Sequence, residues 1–238
     1  GGLKSLEKFA LNSNTLTGPI PAEVGQLKNL KWVYLAGNYL TGSIPACFGD
    51  MSEMTYLNLS NNQFTGMIPK SLGSLSKLQY LNLSQNKLTG PIPVELGNLN
   101  LYRLNLEFNQ LSGIIPSALG NLTNLVNLDL KSNQLSGDIP ASLGSLSKLK
   151  DLALLNNKLS GPLPTTVNGW VELENLNVTN NQFTGQIPNG LGELTNLKSV
   201  NLSFNNFEGS IPVNLFHNEG LEELYVHVNK FSGVIPEE

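Results

Sequence analysis

Residues able to perform acid–base, nucleophilic or metal chemistry are few in this sequence and lie far apart. The chain has one cysteine, Cys47, and two histidines, His217 and His227. A nucleophilic Cys–His pair needs both side chains within hydrogen-bond reach, yet Cys47 lies near the opposite end of the chain from both histidines. Asp129 and Asp151 have a spacing that a two-carboxylate glycosidase needs, but nothing in the sequence indicates a raised carboxyl pKa or a site closed to water. We therefore expect no enzyme activity, metal or cofactor.

A set of large side chains in the first half of the chain has instead the composition of a binding site. Tyr, Trp and Arg are the residue types that dominate binding energy at interfaces. The set recurs at intervals close to 24 residues and comprises Trp32, Tyr34, Tyr56, Tyr80, Tyr102 and Arg103. The first hypothesis is that these residues bind a ligand. The second is that they stack across strands and only stabilise a sheet.

Two smaller groups are further candidates. Glu107, Asp129, Lys131 and Asp151, with Phe108 nearby, either hold a polar ligand group or form a solvated strand face, and Asp129 is counted among the ligand-binding candidates. Near the C-terminal end, the candidates are Phe204, Tyr225, His227 and Val228. These four residues dock a further repeat, a cap or a partner, and the sequence does not rank these roles.

All these residues lie at defined positions of an internal repeat. Asparagines recur every 24 residues, except for one step of 23 from Asn86 to Asn109. They are Asn14, Asn38, Asn62, Asn86, Asn109, Asn133, Asn157, Asn181, Asn205 and Asn229. A proline keeps the same interval from Pro21 to Pro236. Ten copies in register predict a repeat solenoid over residues 1–238, because a single repeat cannot bury its own apolar face.

One unit shows how each repeat is expected to fold. Leu128-x-Leu130 alternates as a strand does, with its leucines inward. Asn133 turns the chain and is expected to pair backbone groups that the turn leaves unbonded. Gly137 is expected in a conformation that a side chain hinders, Ile139-Pro140 is extended, and a 3₁₀ turn follows. The sequence predicts a parallel sheet on the concave face and a 3₁₀ and irregular convex side, in an α/β-type solenoid.

The segments Leu40-Thr41-Gly42-Ser43-Ile44-Pro45 and Leu135-Ser136-Gly137-Asp138-Ile139-Pro140 resemble the LxGxIP signature of plant-type extracellular leucine-rich repeats. Nearly the whole chain follows this spacing. It resembles ectodomains of plant receptor-like kinases and receptor-like proteins, and polygalacturonase-inhibiting proteins. The resemblance implies a twisted horseshoe outside the cell that binds a peptide, hormone or protein partner, including a co-receptor, in signalling or defence.

The family usually has cysteine-paired caps, which this sequence lacks, so we expect it to be either a segment of a longer protein or a member that is stabilised in another way. One rival function is a secreted inhibitor of a microbial cell-wall-degrading enzyme. A remote rival is ice binding by an asparagine row, which Asp129 and Ala153 interrupt. The row comprises Asn58, Asn82, Asn105, Asn177 and Asn201.

The composition of the chain limits the classes of partner that it is expected to bind. Charged residues make up only 13% of the chain and the net charge is -4, which argues against nucleic acid as a partner because nucleic acid requires a basic surface. No apolar run is long enough to span a bilayer, so we expect no membrane contact from this segment. Five Asn-x-Ser/Thr sequons are glycan candidates, although the repeat itself generates Asn-Leu-Ser. They begin at Asn58, Asn82, Asn121, Asn177 and Asn201.

Overall fold

The alternating Leu-x-Leu segments form ten three-residue strands that pair in parallel and in sequence order. The computed structural model describes residues 2–235, so Pro236, the last proline of the repeat series, lies outside the described residues. We call the ten-stranded sheet the inner sheet. Its strands are β1 (Lys8–Ala10), β3 (Trp32–Tyr34), β5 (Tyr56–Asn58), β7 (Tyr80–Asn82), β9 (Arg103–Asn105), β11 (Asn127–Asp129), β13 (Asp151–Ala153), β15 (Asn175–Asn177), β17 (Ser199–Asn201) and β19 (Glu223–Tyr225).

A second set of parallel strands lies after the repeated asparagine, in addition to the inner sheet and the 3₁₀ turns that the sequence predicted. The first two strands, β2 (Thr17–Pro19) and β4 (Tyr39–Thr41), form a pair. The others form an eight-stranded sheet: β6 (Thr65–Gly66), β8 (Lys87–Gly90), β10 (Gln110–Gly113), β12 (Gln134–Gly137), β14 (Lys158–Gly161), β16 (Gln182–Gly185), β18 (Asn206–Gly209) and β20 (Lys230–Phe231). Gly137 has φ +75°, which confirms the predicted left-handed glycine.

Short 3₁₀ turns return the chain along the outer side, as predicted. All of them except Val167–Gly169, which follows Thr166 at ψ 11°, come after an extended proline, for example Pro140 at φ -60° and ψ 133°. Glycine lets neighbouring turns approach: a Cβ at Gly97 would lie 2.3 Å from the Ala118 carbonyl oxygen. The turns are Ala22–Gln26, Ala46–Asp50, Lys70–Ser74, Val94–Asn98, Ser117–Asn121, Ala141–Ser145, Val167–Gly169 and Asn189–Leu191, and the corresponding turn of the ninth repeat is a short α-helix, α1 (Val213–Phe216).

The conserved asparagines form a column of satisfied amides, as the sequence predicted. The Asn86 Nδ2 group donates to the carbonyl oxygens of Leu59, Leu83 and Ser84, each at 3.1 Å. The Asn86 Oδ1 atom accepts from the Phe64 backbone N–H at 3.0 Å. From Asn38 to Asn229, each amide bonds both its own turn and the preceding repeat, so the column links successive repeats.

The core runs between the sheets and the outer turns. Trp170, which replaces a repeat leucine, is fully buried, and its Nε1 group donates to the Leu143 carbonyl oxygen at 2.7 Å. Trp170 therefore packs in the core at the position of the leucine that it replaces. Cys47 is a half-buried free thiol on the outer side.

At the N-terminal end of the described chain, core side chains border a hollow of about 460 Å³. Leu3, Leu11 and Leu16 are among them, and all three are exposed. Such exposure is expected where a solenoid's core meets solvent.

The 23-residue repeat is accommodated within its outer return. Leu99, which ends the 3₁₀ turn, adopts ψ 171°, whereas its equivalent Leu75 has ψ 69°. The strands on either side keep their register, with Tyr80 opposite Arg103. The deletion therefore changes the flank of the solenoid and leaves the inner sheet continuous.

Candidate functional site

The solvent face of the inner sheet is formed by the residues that flank the central buried residue of each strand. Val33, Leu57 and Leu81 are fully buried at these centres, so strand alternation directs their neighbours outward. Short parallel pairing then stacks equivalent side chains of successive repeats into rows. The predicted aromatic residues lie in two of these rows, with Trp32 opposite Tyr56, and Tyr56 opposite Tyr80.

Three tyrosines stack into a continuous group, which we call the tyrosine ladder (Tyr34, Tyr56 and Tyr80). The rings of Tyr34 and Tyr56 lie 4.5 Å apart at 30°, and those of Tyr56 and Tyr80 lie 4.2 Å apart at 5°. The Lys8 Nζ atom lies 5.4 Å from the centroid of the Tyr34 ring, within cation–π range. Burial, reinforced by Tyr80, raises the pKa of Tyr56 to about 12. Tyr56, at the centre of the ladder, is therefore neutral at physiological pH.

The other members of the predicted set lie around the ladder at different distances from it. Trp32 and Arg103 occupy the same row as Tyr56 and Tyr80, one at each end, and both are exposed. Tyr102 lies one residue before β9, where its exposed side chain lines a hollow on the flank of the solenoid. The structure thus brings five of the six side chains onto one face and places Tyr102 at the side.

Asp129 lies within a cluster of charges on the neighbouring strands. Lys131 Nζ lies 3.0 Å from Asp129 Oδ2 and also pairs with Glu107. Burial raises the pKa of Asp129, although its hydrogen bonds with Lys131 oppose the shift. Burial lowers the pKa of Lys131, but its bonds to the two carboxylates outweigh burial and raise the pKa overall. One lysine thus lies between two carboxylates, so its charge compensates only part of theirs.

Asp151 and Phe108 border this cluster without joining the ion pairs. Asp151 Oδ1 accepts from the Asn175 amide at 2.7 Å. The Phe108 ring lies 5.8 Å from Lys131 Nζ, and its backbone is left-handed, with φ 50°. Asn61 holds the equivalent place in an earlier repeat, at φ 51°. A left-handed backbone suits Asn better than Phe, so Phe108 is retained at some conformational cost.

The C-terminal group also has left-handed residues, which sequence reasoning missed. Phe204 and Val228 have φ 54° and 55°, and both side chains are exposed. The His227 ring meets the Phe204 ring edge to face at 5.2 Å and the Tyr225 ring at 6.5 Å. A β-branched residue in this conformation is unusual, and the signal available in the sequence was its position directly before the conserved asparagine.

The sequons divide into two structural kinds. Four lie in inner-sheet strands, where the Asn Oδ1 atom accepts the backbone N–H two residues later, at 3.0–3.1 Å; they are Asn58, Asn82, Asn177 and Asn201. Asn121 instead ends an outer 3₁₀ turn with its side chain exposed. Asn105 has the same hydrogen bond as the strand sequons, to the Glu107 N–H at 3.0 Å.

Within residues 2–235, no group of three or more His, Cys, Asp and Glu side chains is arranged to hold a metal ion. Over the same residues, no helix has both the length and the apolar character needed to cross a bilayer. Cys47 and the histidines lie on repeats at opposite ends of the solenoid.

Comparison with known proteins identifies similar chains. The sequence matches the Leucine rich repeat family over residues 28–88 and 100–159, and a second Leucine Rich Repeat family over 172–194 and 196–218. No curated protein matches the chain.

Three solved structures are similar to the chain. The ectodomain of the Arabidopsis thaliana receptor kinase GASSHO1/SCHENGEN3, in complex with CASPARIAN STRIP INTEGRITY FACTOR 2, is 36% identical with a TM-score of 0.93, over 95% of this chain and 27% of that one. The Arabidopsis receptor kinase HAESA, in complex with the peptide hormone IDA and the co-receptor SERK1, is 34% identical with a TM-score of 0.76, over 96% and 43%. A plant ice-binding protein is 28% identical with a TM-score of 0.68, over 95% and 84%. The chain spans less than half of either receptor ectodomain.

Proposed function

The chain belongs to the leucine-rich-repeat family, in its plant extracellular form, and from this premise we propose that it is a non-catalytic recognition domain for a peptide or protein ligand. The supporting observation is the tyrosine ladder on the solvent face of the inner sheet, with Trp32 and Arg103 at the two ends of its row. One of the similar structures, that of HAESA, is a receptor kinase in complex with a peptide hormone, which favours the same class of ligand here.

The residues of the proposed site have different roles in binding. The tyrosine rings already contact one another, so they form a rigid floor and lose little freedom when a ligand binds. Trp32 and Arg103 keep exposed surface for partner contacts, and these residue types supply much of the binding energy at interfaces. Asp129 and Lys131 provide a polar boundary one strand beyond Arg103. The two sequence hypotheses thus apply to different members of one set.

The cellular setting follows from the same premise. We place the domain on the extracellular side of a plant cell, where it acts in signalling or defence as part of a receptor. The HAESA structure contains a co-receptor beside its peptide, so a co-receptor is the second partner proposed for this domain. In this setting Asn121 is the sequon that can carry a glycan without covering the inner sheet.

Selection from a displayed library of short peptides tests the proposal. Peptides enriched on the wild-type chain are expected to bind the double variant Trp32→Ala/Arg103→Ala at least about tenfold more weakly. Tyr39→Ala is the matched control, because Tyr39 is exposed on β4. No enrichment, or enriched peptides that bind all three proteins equally, would refute the proposal. Unchanged circular dichroism shows that the variants remain folded.

A second candidate function is ice binding, because a plant ice-binding protein matches this chain over 84% of its own length. The row that would contact ice comprises the five asparagines of the inner sheet, Asn58, Asn82, Asn105, Asn177 and Asn201. Asp129 and Ala153 break the row between Asn105 and Asn177, which weakens a lattice match. An ice-recrystallisation assay separates this function from peptide recognition, since activity lost in Asn82→Leu would support ice binding.

A further inference from the structure

The flank of the solenoid contains a hollow where the 23-residue repeat meets its neighbours. It has a volume of about 310 Å³ and is lined by Gln79, Asn100, Tyr102, Asn124, Val126 and Lys148; we call it the flank hollow. Its volume lies at the lower end of the range for ligand sites, about 300–1,000 Å³. Asn100 belongs to the shortened return that follows Leu99, so the hollow is specific to this part of the chain.

A directed chain of hydrogen bonds runs along the flank hollow. Lys148 Nζ donates to Asn124 Oδ1 at 2.7 Å, and Asn124 Nδ2 donates to Asn100 Oδ1 at 2.7 Å. Each bond uses one lone pair of an amide oxygen and leaves N–H groups of Asn100, Asn124 and Lys148 for another molecule. The exposed row thus presents mainly donors, which favours a ligand that supplies acceptors.

The charges around the flank hollow also favour a ligand that supplies acceptors. On one side Glu53 pairs with Lys77 at 2.7 Å, and on the other Glu174 pairs with Lys150 and Lys198. Within residues 2–235 Lys148 has no ion-pair partner. Lys148 is the one charged side chain among the described residues that line the flank hollow. Its ammonium group is not held in an ion pair and favours an anionic ligand group, while Glu172 holds the equivalent position one repeat further along the flank.

The floor of the hollow adds a flat apolar surface. Tyr102 has 56% of its surface exposed, and Val126, from the next repeat, lies half-buried beside it. A sugar ring has a C–H face that covers an aromatic ring, while its hydroxyl groups bond to amides at the edge. Gln79 supplies both a donor and an acceptor for such hydroxyls.

We propose that the flank hollow binds an acidic sugar unit of an oligosaccharide, with its ring on Tyr102, its hydroxyls on Asn100 and Asn124, and its carboxylate on Lys148. An acidic peptide would satisfy Lys148 but would leave the row of amide donors and the flat ring surface largely unused. This site is separate from the inner-sheet surface and does not depend on the peptide-binding proposal.

Calorimetric titration with an oligogalacturonide at low salt tests the site. We expect measurable binding to the wild-type chain, about tenfold weaker binding by Lys148→Gln because a charge-assisted bond is lost, and a similar loss in Tyr102→Ala. The carboxyl-reduced, neutral oligosaccharide should bind the wild-type chain no better than the oligogalacturonide binds Lys148→Gln. Added salt should weaken the oligogalacturonide complex.

Matched variants elsewhere control for charge and aromatic loss. Lys87→Gln removes an exposed lysine that also donates to a side-chain amide oxygen, of Gln63 at 3.4 Å, and Tyr39→Ala removes an exposed tyrosine of the second strand set. Both should bind the oligogalacturonide like wild type. The proposal is overturned if the wild-type chain does not bind the oligogalacturonide, or if Lys148→Gln and Lys87→Gln weaken its binding equally. It is also overturned if oligoglutamate binds as tightly as the oligogalacturonide and its affinity is unchanged in Tyr102→Ala.

Discussion

The asparagine column and the tyrosine ladder are both built from side chains of successive repeats, yet the asparagines bond to the backbone whereas the tyrosines stack on one another. Each buried asparagine amide bonds its own repeat and the one before it, as Asn86 does. The tyrosines contact mainly each other and leave their row open at Trp32 and Arg103. A repeated residue with every polar atom satisfied holds the fold together, whereas a repeated residue on an open face is available for recognition.

The largest effect is expected from breaking the asparagine column. Asn86→Ala removes four hydrogen bonds and leaves buried backbone groups unpaired, so the free energy of unfolding should fall by about 3 kcal/mol. Asn14→Ala is the control, because the exposed Asn14 amide donates only to two carbonyl oxygens of its own turn. Urea unfolding followed by circular dichroism measures both. Equal losses would contradict the distinction between linking and local amides.

A smaller effect is expected from breaking the tyrosine ladder. Tyr56 stacks on two rings, and each aromatic pair contributes about 0.5–1.5 kcal/mol. Tyr56→Ala should therefore lower the free energy of unfolding by about 2 kcal/mol, whereas Tyr39→Ala should change it by less than about 0.5 kcal/mol. If Tyr56→Ala keeps the wild-type free energy of unfolding, stacking in the tyrosine ladder does not stabilise the fold.

The smallest effect is expected from removing the charge of Glu174, which lies in a row of paired charges. Glu174 lies between Lys150 and Lys198, and their hydrogen bonds and charges lower its pKa from an ordinary 4.5 to about 2. A lowered carboxyl pKa stabilises the fold above the ordinary value, and that contribution is lost as the pH falls from about 4.5 towards 2.

The variant Glu174→Gln tests whether pairing at Glu174 stabilises the fold at neutral pH and is lost at low pH. The variant should show a smaller fall in thermal midpoint between pH 6 and about pH 2 than wild type, and added salt should reduce the difference because the group is open to solvent. Glu208→Gln, on β18, serves as the control and should follow the wild-type profile. Identical profiles for all three proteins would show that pairing at Glu174 adds nothing to stability.

The sequence predicted the elements that one repeat defines by itself. The Leu128-x-Leu130 strand, the amide role of Asn133, the left-handed Gly137 and the turn after Pro140 all follow from residue types at fixed spacing. The second sheet was missed because strands such as β8 (Lys87–Gly90) are too short to show a readable alternation. Their pairing depends on the stacking of whole repeats, which a single repeat does not reveal.

The candidate surfaces depended even more on stacking. The sequence placed Tyr34, Tyr56 and Tyr80 on one sheet, but not which rings meet, because Tyr34 lies in a different row from Tyr56. The step of 23 residues in the sequence did not indicate the flank hollow. It forms because Leu99 changes its ψ and because Lys148, two repeats away from Asn100, reaches Asn124.

The way in which Leu99 absorbs a missing residue bears on how such chains diversify. Insertions or deletions in an outer return leave the pairing of the inner strands in phase, so small copying errors in the gene need not destroy the fold. Each such error reshapes the flank locally while the rest of the array is inherited unchanged. Repeats can then be gained, lost or shortened one at a time, and new surfaces can arise in a protein that still folds.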